Sequence, residues 1–205
     1  MLIDRRTIRK GLSVIAANDC DVAQALKRVG YPEPRIRPVG FKALLSIIVS
    51  QQISTGAAQS IMGRVRALLP EISAPATLAL SDGALRKAGL SGRKVEYVNS
   101  LAQAIVTGQF DPIALEQQAD SQVIASICML RGLGRWSAEV YLMFSLQRPD
   151  VFPAGDLALQ RALQKLKGWD NRPSADETRA AVAHWMPWRT VGSLFLWHFY
   201  RGAPT

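Results

Sequence analysis

The sequence contains few residues of the kinds that build metal clusters or nucleophilic triads. Only two cysteines and two histidines occur among its 205 residues. Two thiols cannot complete a four-cysteine zinc site or a four-thiolate iron–sulfur cluster, so this chain alone builds neither. His184 and His198 have no companion at a metal-ligand or triad spacing. We therefore expect both histidines to be structural and no cofactor to be required.

Long apolar runs are also missing. The most apolar stretch, residues 44–49, is far shorter than the roughly 18 residues that a membrane span needs. Residues 1–19 contain neither the continuous apolar core nor the small-residue cleavage site of a signal peptide, and Asp4 is atypical of an organelle transit peptide. The sequence predicts a cytoplasmic protein with no membrane partner.

Acidic residues are outnumbered by basic ones. Twenty-five Lys and Arg residues against 16 Asp and Glu residues give a formal net charge of +9 and a pI near 10.1. This balance favours a polyanionic partner, with nucleic acid first. An even scatter of charge that merely aids solubility is the alternative. The hydrophobic content of 48% is ample for a buried core and excludes global disorder.

Apolar residues recur at helical spacing over nearly the whole chain, while Gly and Pro fall between the periodic segments. The sequence therefore predicts an all-α fold. Three prolines in residues 30–40 mark a connection that is not helical, and Ser174 with Glu177 forms a capping-box signature. Helices are predicted over residues 4–17, 19–29, 41–69 with a break at 51–54, 81–88, 91–107, 121–130, 136–146, 156–166, 174–185 and 188–200.

We expect these helices to form a single domain, residues 1–205, made of two lobes with a cleft between them. The first predicted lobe comprises residues 1–40 and 168–205. The second comprises residues 41–167 and includes a helix-hairpin-helix motif over residues 121–146.

The most informative segment is LRGLGRWSA, residues 130–138, in which a Gly-x-Gly turn separates two predicted helices. Gly132 and Gly134 let the backbone bend tightly and approach another surface closely. The second helix begins with free N–H groups that can bind a phosphate oxygen, and Arg131 and Arg135 add positive charge on either side. Such a turn holds a nucleic-acid backbone without reading its sequence. A plain helical hairpin closed by glycines is the alternative.

One of the carboxylates that follow the hairpin lies at a predicted helix start. Asp156 lies where a loop containing Pro153 and Gly155 ends and a predicted helix begins. Its plainest role is that of an N-cap, which stabilises a helix by about 1 kcal/mol. The helix dipole also favours an ionised carboxylate there. An anion is what must face the positive charge that develops on a sugar during glycosidic cleavage.

Taken together, the hairpin and the aspartate loop resemble those of the helix-hairpin-helix DNA glycosylases. The resemblance extends from Phe41 to Arg201. The segments GFKALLSIIVSQQIS, GLSGRKVEYVNSLA and PWRTVGSLFLWHF are similar to the bacterial 3-methyladenine DNA glycosylase II branch. We expect the N-terminal mixed α/β domain of the family's larger branch to be absent.

The resemblance implies that Asp156 is the catalytic carboxylate. Bifunctional relatives place a lysine directly after the Gly-Arg of the hairpin, where this chain has Trp136. Water is therefore the expected nucleophile, and AP-lyase activity is not expected. The DNA strand beside the flipped nucleotide would be held by the hairpin residues Arg131, Gly132, Gly134, Arg135 and Ser137.

Trp136 and Trp197 match positions that wall the base pocket in the alkylation-repair branch. An indole face attracts a cationic alkylated purine by about 0.5–2 kcal/mol, while core packing is the alternative for each tryptophan. Gln51 and Gln52 fall at the predicted helix break, where the family inserts a wedge into the gap left by the extruded base. Plain loop glutamines are the alternative reading of this pair.

The resemblance also implies a Na⁺ or K⁺ ion on the backbone carbonyls of Cys128, Leu130 and Leu133. The expected partner is double-stranded DNA with a damaged base, bound by a monomeric, nucleoid-associated enzyme. The expected function is monofunctional hydrolysis of the N-glycosidic bond of alkylated bases, of the 3-methyladenine type, in base excision repair. A glycosylase for deaminated or oxidised bases and a non-catalytic helix-hairpin-helix DNA-binding module are the alternatives.

Overall fold

The computed structural model describes residues 2–69 and 71–201, and this part of the chain contains helices and no strand. The predicted all-α class is confirmed. The helices are α1 Arg5–Asn18, α2 Cys20–Val29, α3 Phe41–Ser50, α4 Thr55–Leu68, α5 Ala74–Leu78, α6 Asp82–Lys87, α7 Gly92–Val106, α8 Asp120–Cys128, α9 Arg135–Phe144, α10 Leu157–Lys167, α11 Ala175–Ala181 and α12 Arg189–Arg201, with 3₁₀ turns at Ala114–Gln117 and Ala183–Trp185. No helix within residues 2–69 and 71–201 is long and apolar enough to cross a membrane.

Short elements account for most differences from the predicted helices. Helix α5 and the 3₁₀ turn at Ala114–Gln117 have five and four residues, too few for a helical period to show in the sequence. The predicted helix over residues 174–185 is divided at Val182, where α11 ends and a 3₁₀ turn follows. The capping box that starts α11 is present as predicted.

The helices form two compact units. The terminal unit consists of the described parts of residues 1–36 and 147–205, and the central unit consists of the described parts of residues 37–146. The predicted lobe boundary at residues 167 and 168 is therefore wrong. Helix α10 packs on α12 and α2, and its residues Leu159, Ala162 and Leu163 are buried. This packing places α10, together with Asp156, in the terminal unit.

The terminal unit is built around α1, α2, α10 and α12. Asp4 begins α1 and Asp19 begins α2, each accepting a backbone N–H three residues further on. Close packing favours glycine at position 11 of α1, because a Cβ there would lie 3.0 Å from the ring of Trp188. The core consists mainly of Ile8, Leu12, Ile15, Leu159, Leu163, Trp185, Val191, Phe195 and Leu196.

A buried carboxylate joins three segments of this unit. Asp19 accepts hydrogen bonds from Lys167 Nζ at 2.8 Å and from Trp185 Nε1 at 3.0 Å, and His184 Nε2 lies 3.1 Å from its Oδ2. Burial alone would raise the pKa of Asp19, but the hydrogen bonds from Lys167 and Trp185 hold that pKa below its usual 3.8. The other histidine, His198, places Nε2 2.7 Å from the Val29 carbonyl oxygen. Both histidines thus have internal contacts.

The central unit is organised around α3 and α9. Helix α3 is apolar on nearly all sides and is buried almost throughout, as is the part of α9 that follows Trp136. The hydroxyl of Tyr141 accepts the Gly40 N–H at 3.0 Å and donates to the Pro112 carbonyl at 3.3 Å. Burial raises the pKa of Tyr141 to about 12, so this hydroxyl remains a donor at neutral pH.

Candidate functional site

The loop that leads to Asp156 is attached to the start of α12. Arg189 Nε and Nη2 donate to the two carboxylate oxygens of Asp150, each at 2.7 Å. The Thr190 hydroxyl donates to the Arg148 carbonyl at 2.7 Å and accepts the Val151 N–H at 3.0 Å. The first half of the loop therefore has a defined position within the terminal unit.

The second half of the loop is held by α10 itself. Gln160 Nε2 donates to the Ala154 carbonyl at 2.8 Å, and Arg172 Nη1 in turn donates to Gln160 Oε1 at 3.0 Å. A backbone bond of 2.8 Å from the N–H of Asp156 to the Pro153 carbonyl closes the final turn. A loop that is held at both ends therefore positions Asp156 at the N-cap of α10.

The Asp156 carboxylate is the N-cap of α10, as its sequence position predicted. Oδ1 accepts the Leu159 N–H at 2.9 Å and the indole Nε1–H of Trp197 at 3.3 Å. The side chain is half-buried. Two donors from different helices restrict both its rotamer and the plane of the carboxylate.

Trp197 has a contact that the sequence did not indicate. The residue is only 7% exposed, and its indole donates to Asp156 from α12. The guanidinium carbon of Arg35 lies 5.7 Å from its ring centroid, a cation–π distance. The other predicted pocket residue, Trp136, lies half-buried in the first turn of α9, in the central unit. The base-pocket role of both tryptophans stays a prediction.

The predicted hairpin is formed by α8, residues 129–134 and α9. Gly132 has φ +79, and a Cβ there would lie 2.2 Å from the Tyr97 ring, so the fold itself requires glycine. Gly134 is the N-cap of α9 with φ −122, and a Cβ there would meet nothing within 4 Å. Any requirement for glycine at position 134 therefore comes from outside the protein.

Both hairpin arginines are paired with glutamates. Arg131 pairs with Glu96 of α7, and Arg135 Nε lies 2.9 Å from Glu139 Oε1. The two arginine side chains are 64% and 60% exposed. Exposed ion pairs contribute only about 0–1 kcal/mol. A phosphate could therefore displace Glu96 from Arg131 at small cost. The Glu139 side chain is only 6% exposed, so drawing Arg135 away from it would take a partner from a buried carboxylate and would cost more.

Gln51 and Ser137 contact each other. Gln51 Nε2 donates to the Gly132 carbonyl at 2.9 Å and lies 3.4 Å from Ser137 Oγ. Ser137 is 2% exposed, so its hydroxyl is internal. The predicted role of Ser137 in DNA binding stays a prediction. Gln52 is exposed in the loop that follows.

Sequence reasoning also missed Lys94. Its Nζ donates to the carbonyls of Val49 and Gln51 at 2.8 and 2.9 Å. These acceptors lie at the end of α3, more than 40 residues before Lys94. A basic residue in the first turn of a predicted helix carries no local signal for such a contact.

The hairpin carbonyls are the donor set proposed for a cation. Among the residues that the structure describes, no group of three or more His, Cys, Asp or Glu side chains is placed to hold a metal. The carbonyls of Cys128, Leu130 and Leu133 belong to the tight turn after α8, where the Leu130 oxygen accepts the Leu133 N–H at 3.1 Å. Neutral oxygens suit a hard monovalent ion, so the chemistry of this set fits Na⁺ or K⁺.

Comparison with known families and sequences gave consistent matches. The family model described as HhH-GPD superfamily base excision DNA repair protein matches residues 45–187. A putative DNA-3-methyladenine glycosylase of Bacillus subtilis is 29% identical over 165 residues, which are 77% of this chain and 58% of that protein. DNA-3-methyladenine glycosylase 1 of Schizosaccharomyces pombe is 27% identical over 77% of this chain and 71% of its own length. The chain spans little more than half of the B. subtilis relative.

Solved structures show the same architecture. The S. pombe 3-methyladenine DNA glycosylase in complex with abasic DNA superposes with a TM-score of 0.86, covering 92% of this chain and 95% of that one at 24% identity. A DNA-3-methyladenine glycosidase from Bacillus halodurans superposes with a TM-score of 0.74, covering 91% and 87% at 34% identity. The family resemblance inferred from the hairpin and the aspartate loop is confirmed.

Proposed function

Because the chain belongs to the HhH-GPD superfamily of base excision DNA repair proteins, we propose that it is a monofunctional glycosylase for alkylated bases. The proposed reaction is hydrolysis of the N-glycosidic bond, with 3-methylpurines as the substrate class. The observation that carries the proposal is Asp156, a carboxylate held at the N-cap of α10 by Leu159 and Trp197. The names of the B. subtilis and S. pombe relatives support the substrate class.

The proposed DNA contact is made by the hairpin. The first N–H groups of α9 follow Gly134, which has no side chain to cap them, so they can bind a phosphate oxygen. Arg131 and Arg135 add positive charge and a dependence of affinity on salt. With the strand held there, the damaged nucleotide is extruded from the duplex, because its glycosidic bond is inaccessible within the stack.

Bond cleavage places a positive charge on the sugar. The bonding pair leaves with the base, so a cationic alkylated purine departs as a neutral molecule. The Asp156 carboxylate stabilises the oxocarbenium-like sugar that forms. Water then adds to C1′ and gives its proton to the carboxylate, which leaves an abasic deoxyribose with an intact strand. The N-cap bonds keep Asp156 in one orientation during these steps.

The remaining proposals concern partners and ions. We propose a monomer that acts on double-stranded DNA with a damaged base and is associated with the nucleoid in the cytoplasm. When bound by the carbonyls of Cys128, Leu130 and Leu133, Na⁺ or K⁺ would supply positive charge beside a DNA phosphate. No cofactor is proposed for the chemical step.

The role of Asp156 is tested by Asp156→Asn. An asparagine oxygen can still accept the Leu159 N–H, so the cap and the stability of α10 are retained. Base release in a single turnover should fall by about 10³-fold or more, because the fixed anion is lost. Binding to an abasic-site analogue should be kept. The matched control is Asp170→Asn at an exposed position, and near-normal release by Asp156→Asn would remove this residue from the mechanism.

A monofunctional reaction is tested by borohydride trapping. Schiff-base chemistry requires a neutral amine close to C1′, and Trp136 occupies the position where bifunctional relatives have a lysine. Lys94 Nζ is already bound to two carbonyls. We expect an intact abasic strand that breaks only in alkali and no covalent protein–DNA adduct. An adduct that disappears when one lysine is replaced would refute the monofunctional assignment.

The substrate class is tested by base release from a panel of duplexes. The panel contains alkylated, deaminated and oxidised bases at one position in a fixed sequence. Release of alkylated bases alone supports the proposal, while preferential release of another lesion would reassign the substrate. Binding without release from any duplex would identify a non-catalytic DNA-binding module.

A further inference from the structure

The loop between α3 and α4 is held in an unusual conformation. Gln52 has φ +56, in the left-handed region that residues other than glycine rarely occupy. Its side chain is exposed. A strained backbone of this kind persists only where its surroundings enforce it, and such positions are concentrated at functional sites. Two contacts hold the preceding residue, Gln51: one comes from Lys94 of α7 and the other is made with the hairpin turn.

The first contact is an ammonium group at the end of α3. The last carbonyls of a helix have no partner within the helix, and Lys94 Nζ binds those of Val49 and Gln51 at 2.8 and 2.9 Å. A cation is also favoured at the negative end of the helix dipole. Because Gln51 directly precedes Gln52, Lys94 restrains the peptide that enters the left-handed position.

The second contact joins this loop to the hairpin. Gln51 Nε2 donates to the Gly132 carbonyl at 2.9 Å. Gly132 also packs against the ring of Tyr97, which lies one helical turn after Lys94 on α7. The first turns of α7 therefore contact the loop through Lys94 and the hairpin through Tyr97.

Burying the Lys94 ammonium group costs free energy, because the charge loses contact with water, unless other groups take the place of that water. The side chain is half-buried, and burial lowers the pKa of Lys94 below its usual 10.5. Most surface lysines keep their ammonium groups in water. The two short bonds to main-chain oxygens replace that water and direct the charge toward the loop.

We propose that Lys94 is a positioning residue for base extrusion, which holds Gln52 ready to enter the gap left by the extruded base. Gln51 fixes the distance between this loop and the hairpin that holds the phosphate. A loop ordered in advance need not be ordered during insertion. The inference rests on the proposed glycosylase function.

The test compares one lesion in two settings. The lesion is placed in a normal duplex, where it must be unstacked, and in a single strand, where extrusion requires little work. Lys94→Met removes both hydrogen bonds and keeps the length of the side chain. Single-turnover release from the duplex should fall by about tenfold or more, while release from the single strand should change by less than about threefold.

Matched variants separate positioning from general damage. Lys87→Met removes the same charge from an exposed site in the same unit and should leave both rates unchanged. Lys94→Arg retains donors and should recover part of the duplex rate. If the Lys94→Met variant does not fold, the test uses Gln52→Gly instead. Glycine adopts the left-handed φ without strain, and this variant lacks the side chain that is proposed to enter the gap. It should show the same loss confined to the duplex.

Extrusion can also be measured without chemistry. In an Asp156→Asn background, 2-aminopurine beside the lesion should become brighter on binding, because its stacking neighbour leaves the helix. Adding Lys94→Met should reduce that change several-fold at saturating protein. Equal losses on duplex and single strand, or an unchanged fluorescence response, would overturn the role of Lys94. If the parent protein releases no base from either substrate, the proposed function itself fails.

Discussion

The two hairpin glycines provide a sharp test of which surface needs them. At Gly132 a Cβ would lie 2.2 Å from two ring carbons of Tyr97, and φ is +79. At Gly134, φ is −122 and a Cβ would meet nothing within 4 Å. Alanine adds one Cβ atom at either position. At position 132 this atom would clash with a packed ring, whereas at position 134 it would lie in open space.

The expected magnitudes differ because two costs apply at only one site. Placing alanine in the left-handed region costs about 1–2 kcal/mol, and forcing an atom into a packed ring costs about 1–3 kcal/mol. Gly132→Ala should therefore lower the free energy of unfolding by about 2–5 kcal/mol. Gly134→Ala should lower it by less than about 1 kcal/mol, through a weaker N-cap alone.

Chemical denaturation and DNA affinity together check this reasoning. The pair Gly132→Ala with Tyr97→Ala should unfold with a cost smaller than the sum of the two single changes, because the clash is removed. Gly134→Asp should fold normally and bind lesion and undamaged duplexes equally poorly, through phosphate repulsion. Wild-type stability of Gly132→Ala would refute the packing argument. Normal affinity of Gly134→Asp, or a loss confined to lesion DNA, would refute backbone anchoring at the hairpin.

Three further outcomes are expected in the terminal unit. Trp197→Phe removes the N–H that Asp156 accepts and should slow single-turnover base release about tenfold, with unchanged binding to abasic DNA; an unchanged rate would show that the bond is dispensable. Asp150→Asn weakens the bidentate pair with Arg189 and should cost about 1–2 kcal/mol in denaturant unfolding, whereas wild-type stability would show that the pair does not fix the loop. The folded-state pKa of Asp19 lies below 3.8, so the ionised carboxylate stabilises the fold above pH 3.8, and this stabilisation is lost as the pH falls through the folded-state pKa. Asp19→Asn should therefore weaken the dependence of the free energy of unfolding on pH in this acidic range. An unchanged pH dependence would contradict a stabilising role for ionised Asp19.

Local patterns in the sequence predicted the helices and the position of Asp156. An N-cap bond joins residues only three apart, so Ser54, Ser91 and Ser174 identify helix starts that the structure contains. The same rule places Asp156 at the start of α10. The Gly-x-Gly turn and the aspartate loop also sufficed to identify the family.

Only the tertiary structure showed which residues support these features. Trp197 reaches Asp156 across 41 positions, Lys94 reaches Val49 across 45, and Gln51 reaches Gly132 across 81. The unit to which α10 belongs was likewise decided by packing on α12 and α2. Helical periodicity and caps act over three or four residues and can be read along the chain. Contacts between distant helices depend on how their apolar faces pack, and no local pattern records that choice.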